Sequence, residues 1–287
     1  GPPLSAAPEP VRLDWPDWLM PETRRSLGDA LEAVCEASRA RAPVFLRVNL
    51  LKATPETAIA ALAADGVAAH RHPRVPAALV LDGPARGLPQ TTAFREGLVE
   101  LQDAASQAVV DALPVDRGAR VLDLCAGGGG KSLALAARGA QVTAHDADPA
   151  LMRDLPARAA RAGAEIAITD APESGAPWPL VLADVPCSGS GAWRRAPEGK
   201  WRLTAERLRD LASVQDRLLD RAARLAGERG QIAYVTCSVL ECENGDRVAG
   251  FRGRSAGWRL TTERRFLPGP AGDGFYLALL TRDRAPQ

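Results

Sequence analysis

A glycine-rich stretch in the middle of the chain is the first place where residue types and spacing suggest chemistry. Residues 122–135 read LDLCAGGGGKSLAL, in which four glycines precede Lys131 and Ser132. A phosphate-binding P-loop needs a further glycine upstream, at the position that Cys125 occupies here. The dinucleotide fingerprint fails as well, because its last glycine, counted from Gly127, falls on Ser132. The loop therefore argues against a nucleotide hydrolase.

Acidic residues follow the next two predicted strands. Asp146 lies in TAHDAD, and Asp170 ends ITD. At the carboxyl edge of a parallel sheet, glycines allow close approach of the backbone, helix-start amides face a carboxylate, and a strand-end acid can bind ribose hydroxyls. This order suits a ligand with an amino-acid end, a ribose and an adenine, and predicts S-adenosylmethionine. The alternative is a tight turn followed by solvated, helix-capping carboxylates.

Two cysteines follow two further apolar strands. Cys187 comes after Asp184 in LVLADVPCSGSGAW, and Cys237 lies in IAYVTCSVLECEN. An isolated cysteine is most often a small buried hydrophobe, and we interpret Cys35 and Cys242 in that way. At neighbouring strand ends beside a predicted cofactor, Cys187 and Cys237 are instead candidates for reactive thiolates.

Basic and aromatic residues are interleaved after the first of these cysteines, in WRRAPEGKWRLTAERLR. Positive charges can bind phosphates and aromatic rings can stack on unpaired bases, so the segment predicts contact with RNA. The RNA-binding candidates are those nearest Cys187: Arg194, Arg195, Lys200, Trp201 and Arg202. For Arg207 and Arg209, a solvated basic helix face is an equally good interpretation.

Three of these motifs together resemble a known family. LDLCAGGGGKS, ADVPCSGSGAWRRAPEGKW and YVTCSVLECEN are similar to RNA cytosine-5 methyltransferases of the Fmu/Sun type, and most similar to the bacterial members that methylate small-subunit ribosomal RNA. FLRVNLLK, GLVELQDAASQ and DGFYLALL also match, so the resemblance spans roughly residues 18–280. The chain departs from the family at Gly128, where proline is usual, and at Ser132, where threonine is frequent.

The resemblance implies methylation of carbon 5 of a cytosine in RNA, with 16S rRNA as the expected substrate and tRNA as the alternative. It implies that Cys237 is the nucleophile and that Cys187 assists its release. Asp184, two residues before Pro186, is a third catalytic candidate that could hold the cytosine edge. The implied cofactor-binding residues are Cys125, Ala126, Gly127, Gly128, Gly129, Gly130, Lys131, Asp146, Asp170 and Asp184.

The elements that position these residues are strands alternating with helices. Short apolar strands, separated by helical stretches, are predicted at 120–124, 141–145, 165–168, 180–183 and 231–236. This alternation indicates an α/β fold with a parallel sheet covered on both faces. Two closing strands without a helix between them predict an antiparallel hairpin. The alternating strands and the closing hairpin together fit the mostly parallel, seven-stranded sheet of Rossmann-like class I methyltransferases. We assign residues 101–287 to that domain.

Residues 1–100 predict a smaller unit in front of this domain. The elements are a helical region, then a strand, a helix and two strands, at 18–42, 44–49, 55–65, 67–71 and 78–81. This β-α-β-β order predicts a small α/β module, which would either widen the RNA surface or be a structural extension. Residues 1–10, rich in proline and alanine, are expected to be disordered.

Composition limits the remaining possibilities. The net charge of the 287 residues is +1, so any RNA-binding surface must be a local patch. The cysteines are odd in number and irregularly spaced, which favours a protein of the reducing cytoplasm. The sequence has no long apolar run and no secretory signal, so we expect no contact with a membrane. We also expect a monomer that binds no metal. The chain begins at Gly1 without a methionine, which is consistent with truncation and a missing upstream domain.

Two alternatives to an RNA methyltransferase stay open. A non-catalytic RNA-binding or ribosome-assembly factor could keep this fold, although the presence of both cysteines argues against lost catalysis. A cytosine-5 DNA methyltransferase uses similar chemistry, but its nucleophile comes from the Pro-Cys loop, which corresponds to Cys187 here.

Overall fold

The computed structural model describes residues 7–283, which fold around two β-sheets. The first six residues of the segment expected to be disordered lie outside that range, and α1 (Glu9–Leu13) is already helical. The predicted helical region that follows consists of two helices, α2 (Met20–Leu27) and α3 (Leu31–Arg39), with a 3-10 turn between them.

The first sheet is small and antiparallel. Its strands are β1 (Phe45–Val48), β2 (Ala69–Arg71), β3 (Ala78–Leu81) and β4 (Val99–Leu101), in the order β2-β3-β1-β4. Helix α4 (Pro55–Ala64) begins at a capping box in which the Thr54 and Thr57 side chains bond each other's backbone. The strand, helix and two strands expected from the sequence are present. The sequence did not predict β4, because three residues between the short helix α5 (Thr92–Arg95) and the next helix give no usable periodicity.

The second sheet has seven strands. They are β5 (Arg120–Asp123), β6 (Gln141–Ala144), β7 (Ile166–Ile168), β8 (Leu180–Asp184), β9 (Gln231–Thr236), β10 (Trp258–Phe266) and β11 (Phe275–Arg282). Their order is β10-β11-β9-β8-β5-β6-β7. Strands β5 to β9 pair in parallel, and the β10–β11 hairpin is added antiparallel to β9. The predicted Rossmann-like fold with a mostly parallel seven-stranded sheet is confirmed.

Helices cover both faces of this sheet. They are α6 (Ala104–Asp111), α7 (Gly130–Ala137), α8 (Leu155–Ala162), α9 (Glu198–Arg202), α10 (Ala205–Ala226) and α11 (Gly245–Arg254). Alternation along the strands divides the core, since Leu277 and Leu279 pack with α6 and α7 whereas Tyr276 and Ala278 pack with α10 and α11. Burial on both faces fixes the strands and therefore the edge at which the candidate site lies.

The small sheet is fixed to the large one through the carboxyl end of α8. Asn49 Nδ2 donates to the carbonyl of Ala162 (2.7 Å), and Lys52 Nζ donates to the carbonyl of Arg161 (2.7 Å). The Arg161 side chain in turn pairs with Glu100 of β4 (2.6 Å). Cations at a helix carboxyl end satisfy its last carbonyls. Within residues 7–283, no helix combines the length and the apolar character that crossing a membrane requires.

Candidate active site

The predicted site residues meet at one edge of the large sheet. The glycine loop follows β5, at the position where the strand order reverses, with β6 and β7 on one side and β8 and β9 on the other. Such a reversal is where ligands bind in open α/β sheets. Asp146 and Asp170 follow β6 and β7, Asp184 ends β8, and Cys237 follows β9, so their shared edge is as the sequence predicts.

The glycine loop has a conformation that depends on its residue types. Gly129, the N-cap residue of α7, has φ +80°, and a Cβ there would lie 2.2 Å from Leu155 Cδ1, so no other residue fits without displacement. The backbone N of Gly127 donates to Asp146 Oδ2 (2.9 Å), which ties the loop to the next strand end. Asp170 is exposed at the far side of the same edge.

Gly128 lies beneath an arginine. A Cβ at this position would lie 3.0 Å from Arg158 Nη1, and Arg158 donates to the Gly128 carbonyl. Arg158 also pairs with Glu100 (3.5 Å), so the small sheet contributes to holding the loop. The glycine that replaces the family's usual proline is therefore accompanied by an arginine that contacts the loop directly.

Asp123 is a candidate functional residue that sequence reasoning missed. It is the last residue of β5 and is buried; Oδ2 accepts a hydrogen bond from Ser132 Oγ (2.6 Å), whereas Oδ1 has no partner among residues 7–283. Burial raises the pKa of Asp123 to about 7. The signal available in the sequence was an acid at the end of an apolar strand, directly before the loop.

The acidic edge fits a cationic cofactor. Asp184 and Asp146 add to the increase in the Asp123 pKa, after the effect of burial, because like charges oppose ionisation. An ammonium or sulfonium group near the unpartnered Asp123 oxygen would offset this repulsion. In S-adenosylmethionine, the ammonium group of the amino-acid end and the sulfonium group are close together. The acidic side chains at this edge therefore fit the cofactor predicted from the sequence.

Asp123 should make stability depend on pH. Its pKa is about 7 in the folded protein against an ordinary value of 3.8, so the folded state keeps a proton that the unfolded state releases between these values. The free energy of unfolding should therefore fall as pH rises from about 4 to 7, by on the order of 4 kcal/mol. Asp123→Asn should abolish this decrease in urea titrations across that range. The exposed-site control Asp116→Asn should retain it, and parallel curves for the wild-type protein and Asp123→Asn would contradict the assignment.

The two cysteine loops are in direct contact. Cys187 Sγ lies 3.3 Å from Cys237 Sγ. The backbone N of Gly191 donates to the Cys237 carbonyl (2.9 Å), and the backbone N of Gly274 donates to the Gly191 carbonyl (2.8 Å). A Cβ on Gly191 would lie 2.2 Å from the Gly274 oxygen, so this close packing requires glycine. The structure thus brings together the two cysteines that the sequence singled out.

The charges around the sulfurs are asymmetric. Lys131 is buried, and its Nζ donates to Asp184 Oδ2 (2.6 Å). Burial lowers the pKa of Lys131. Asp184, followed by the Cys237 sulfur, raises this pKa by more than burial lowers it. The net shift is upward, so Lys131 is a cation. The hydrogen bond with Cys237, then burial, raises the pKa of Cys187 well above its ordinary value. The edge where the two sulfurs meet therefore carries a buried cation paired with Asp184 and a protonated Cys187 thiol, groups that can serve charge stabilisation and proton transfer.

Two of the RNA-binding candidates are corrected by the structure. The Arg194 side chain is 2% exposed and pairs with Asp273 (2.6 Å), and the Lys200 side chain is 2% exposed and pairs with Asp14. Both charges are neutralised inside the protein, so neither side chain is available to a phosphate. Closeness in sequence predicted that these basic residues share one surface. In the structure, one short helix and the turn before it direct neighbouring basic side chains to opposite sides.

The other three candidates remain at the surface to different extents. The Arg195 side chain is 36% exposed but pairs with Asp103 (3.0 Å) and with Asp273. Trp201 is 57% exposed, and Arg202 is exposed beside it at the end of α9. Trp201 and Arg202 are therefore the candidates best placed to contact RNA.

Cys35 and Cys242, which the sequence predicts to be structural, lie in or against a separate hydrophobic cluster. Cys35 belongs to the hydrophobic cluster around α2 and α3, Cys242 packs against that cluster, and burial raises the pKa of Cys35 to about 11. In the part of the chain that the structure describes, no group of three or more His, Cys, Asp or Glu side chains is arranged to hold a metal ion.

Two family models match the chain. Residues 110–281 match the model described as 16S rRNA methyltransferase RsmB/F. Residues 15–86 match the ferredoxin-like domain of RsmF/B-like methyltransferases. The first match covers most of the large sheet and the second most of the small one.

Similar proteins cover the same range. The chain is 36% identical to ribosomal RNA small subunit methyltransferase B of Xanthomonas campestris and 32% identical to that of Vibrio cholerae, over 93% and 94% of its own length. It spans about two thirds (66%) of the length of each of these relatives. The crystal structure of PH0851 is 30% identical, with a TM-score of 0.89, over 98% of this chain and 70% of that one. The structure of NSun6 from Pyrococcus horikoshii with SFG is 17% identical, with a TM-score of 0.82, over 94% and 99%, and shows the same fold.

Proposed function

This chain belongs to the RsmB/F family of 16S rRNA methyltransferases, and on that premise we propose that it methylates carbon 5 of a cytosine in 16S rRNA. The methyl donor in this proposal is S-adenosylmethionine, and Cys237 forms a transient covalent bond to the base. The observation that carries the chemistry is the thiol pair, whose sulfurs lie 3.3 Å apart, with the Lys131–Asp184 ion pair at the same sheet edge.

The glycine loop and the acidic strand ends are the residues that would hold the cofactor. When bound, S-adenosylmethionine supplies a methyl group made electrophilic by a positively charged sulfur. Gly127 to Lys131 would contact the methionine end, Asp123 its ammonium group and Asp146 the ribose. Asp170 is exposed at the same edge and would lie on the adenine side.

Cys237 acts as the nucleophile in this proposal. Its sulfur adds to carbon 6 of the cytosine, which makes carbon 5 electron-rich and able to accept the methyl group. In this proposal Lys131, held at the same edge by Asp184, supplies positive charge to the site. The base must be unstacked or single-stranded to reach the two sulfurs.

Cys187 completes the reaction. After methyl transfer, carbon 5 carries both a methyl group and a proton, and removal of that proton breaks the bond between carbon 6 and Cys237. Cys187 lies within hydrogen-bond reach of Cys237 and, as a neutral thiol, can position the water that accepts this proton. In this proposal Asp184, held by Lys131, hydrogen-bonds the cytosine edge.

The direct test is transfer of a labelled methyl group from S-adenosylmethionine to unmodified 16S rRNA, followed by bisulfite sequencing. We expect label in 5-methylcytosine at one or a few positions. Bisulfite sequencing of RNA from a deletion strain should show the same positions unmethylated. Methylation of tRNA instead would support the alternative substrate, and cofactor binding without transfer to any RNA would indicate a non-catalytic RNA-binding protein.

The surface formed by Trp201 and Arg202 should contribute to RNA affinity. Trp201→Ala should lose base stacking and Arg202→Gln one phosphate contact, and each should weaken RNA binding about three- to tenfold. Arg202→Gln should also reduce the slope of log affinity against log salt by about one. Arg117→Gln, at the opposite edge of the sheet, removes one charge as a control. Equal affinities for all variants in filter binding would exclude this surface.

A further inference from the structure

Glu243 is a buried carboxylate beside the thiol pair that the mechanism above does not use. It lies between β9 and α11, and it is fully buried with both oxygens occupied. Oε1 accepts hydrogen bonds from the Ser188 backbone N (2.8 Å) and from Gln215 Nε2 (3.1 Å). Oε2 accepts from the hydroxyls of Ser188 and Ser238, both at 2.5 Å. Four donors compensate the cost of burying this carboxylate, which makes it a built feature of the site.

Three of the four donors belong to the two loops that carry the cysteines. Ser188 directly follows Cys187, and Ser238 directly follows Cys237. Gln215, from α10, also donates to the carbonyl of the residue before Cys187 (2.9 Å). One carboxylate therefore joins the immediate neighbours of both sulfurs and ties them to the longest helix of the fold.

Glu243 also affects the protonation of Cys187. Its negative charge raises the pKa of Cys187, after the larger effects of the hydrogen bond with Cys237 and of burial. An anion near a thiol favours the neutral form, so Glu243 contributes to keeping Cys187 protonated.

We propose that Glu243 is a positioning residue that holds the Cys187 loop and the Cys237 loop in one arrangement, with the two sulfurs in contact. Its effect on methyl transfer rests on the proposed function, whereas its effect on the sulfurs does not. Without the carboxylate, the Ser188 and Ser238 hydroxyls lose their common acceptor, and the loops are free to separate.

The test measures disulfide formation in the full chain, without RNA or cofactor. Diamide takes up the two thiol hydrogens as the bond between Cys187 and Cys237 forms, and mass spectrometry of the linked peptide follows the rate. Because this rate depends on how close the thiols are held, we expect Glu243→Gln to lower it at least about tenfold. Glu241→Gln is the matched control, since this carboxylate pairs with Arg265 instead, and it should react at the wild-type rate.

A folded Glu243→Gln protein with the wild-type rate of disulfide formation overturns the proposal. If this variant does not fold, Ser188→Ala decides, because it removes one hydroxyl donor and leaves the carboxylate in place. A slower reaction of Ser188→Ala supports the proposal, and an unchanged rate overturns it.

Methyl transfer provides a second readout that separates this proposal from the proposed function. In Glu243→Gln, kcat should fall about 10- to 100-fold while KM for RNA stays within about threefold, because the effect is on the thiols and not on binding. Slow disulfide formation with a wild-type kcat would overturn the catalytic part. A wild-type protein without any methyl transfer would contradict the proposed function, and the disulfide measurement would still decide the role of Glu243.

Discussion

Replacing Cys237 by alanine is expected to lower methyl transfer by about 10⁴-fold or more, because the proposed mechanism requires its sulfur for the covalent bond to carbon 6. The substitution removes a half-buried sulfur and leaves the glycine loop and the Lys131–Asp184 pair in place. Affinity for S-adenosylmethionine should therefore change little. The measurement is single-turnover transfer of labelled methyl to RNA, with cofactor affinity determined in parallel by calorimetry.

Cys242→Ala is the matched control for this prediction. Cys242 lies five residues further on, packs against the cluster around α2 and α3, and has no role in the proposed mechanism. Its activity should stay close to that of the wild-type protein. If Cys237→Ala methylated RNA as fast as this control, Cys237 could not be the nucleophile, and the Pro-Cys loop of Cys187 would become the candidate.

Replacing Cys187 by alanine should have a different consequence, the accumulation of a covalent complex between protein and RNA. Cys237 can still add to the cytosine and carbon 5 can still be methylated, but the proton on carbon 5 is no longer removed efficiently. Turnover should fall about 10²- to 10⁴-fold, the range for loss of a general base. The complex should resist SDS and migrate as a shifted band on a denaturing gel.

The double variant Cys187→Ala/Cys237→Ala is the control for that band, which should then disappear. A band in Cys237→Ala but not in Cys187→Ala would assign the nucleophile to Cys187, as in DNA cytosine-5 methyltransferases. Rapid turnover by Cys187→Ala with no persistent complex would remove Cys187 from the release step. The 3.3 Å between the two sulfurs makes either assignment geometrically accessible, so this comparison is decisive for the order of events.

The sequence predicted the fold through local patterns that the structure confirms. Short apolar strands alternating with helices specify a parallel sheet, and their ends bring Asp146, Asp184 and Cys237 to one edge. Strand β4 was missed because it is three residues long. Asp123 was missed because its chemistry depends on burial, which raises its pKa to about 7 and which residue type alone does not reveal.

The sequence by itself determined the strand-end positions of the glycine loop, the acids and the two cysteines, because strand periodicity and turn residues are local properties of the chain. Only the tertiary structure decided which basic side chains are available to RNA. Arg194 and Lys200 form ion pairs with Asp273 and Asp14, which are distant from them in sequence. The tertiary structure also decided the contact between the sulfurs and the four hydrogen bonds to Glu243. These features depend on close packing between segments far apart in the chain, where a few tenths of an ångström and the loss of solvent determine charge and reactivity.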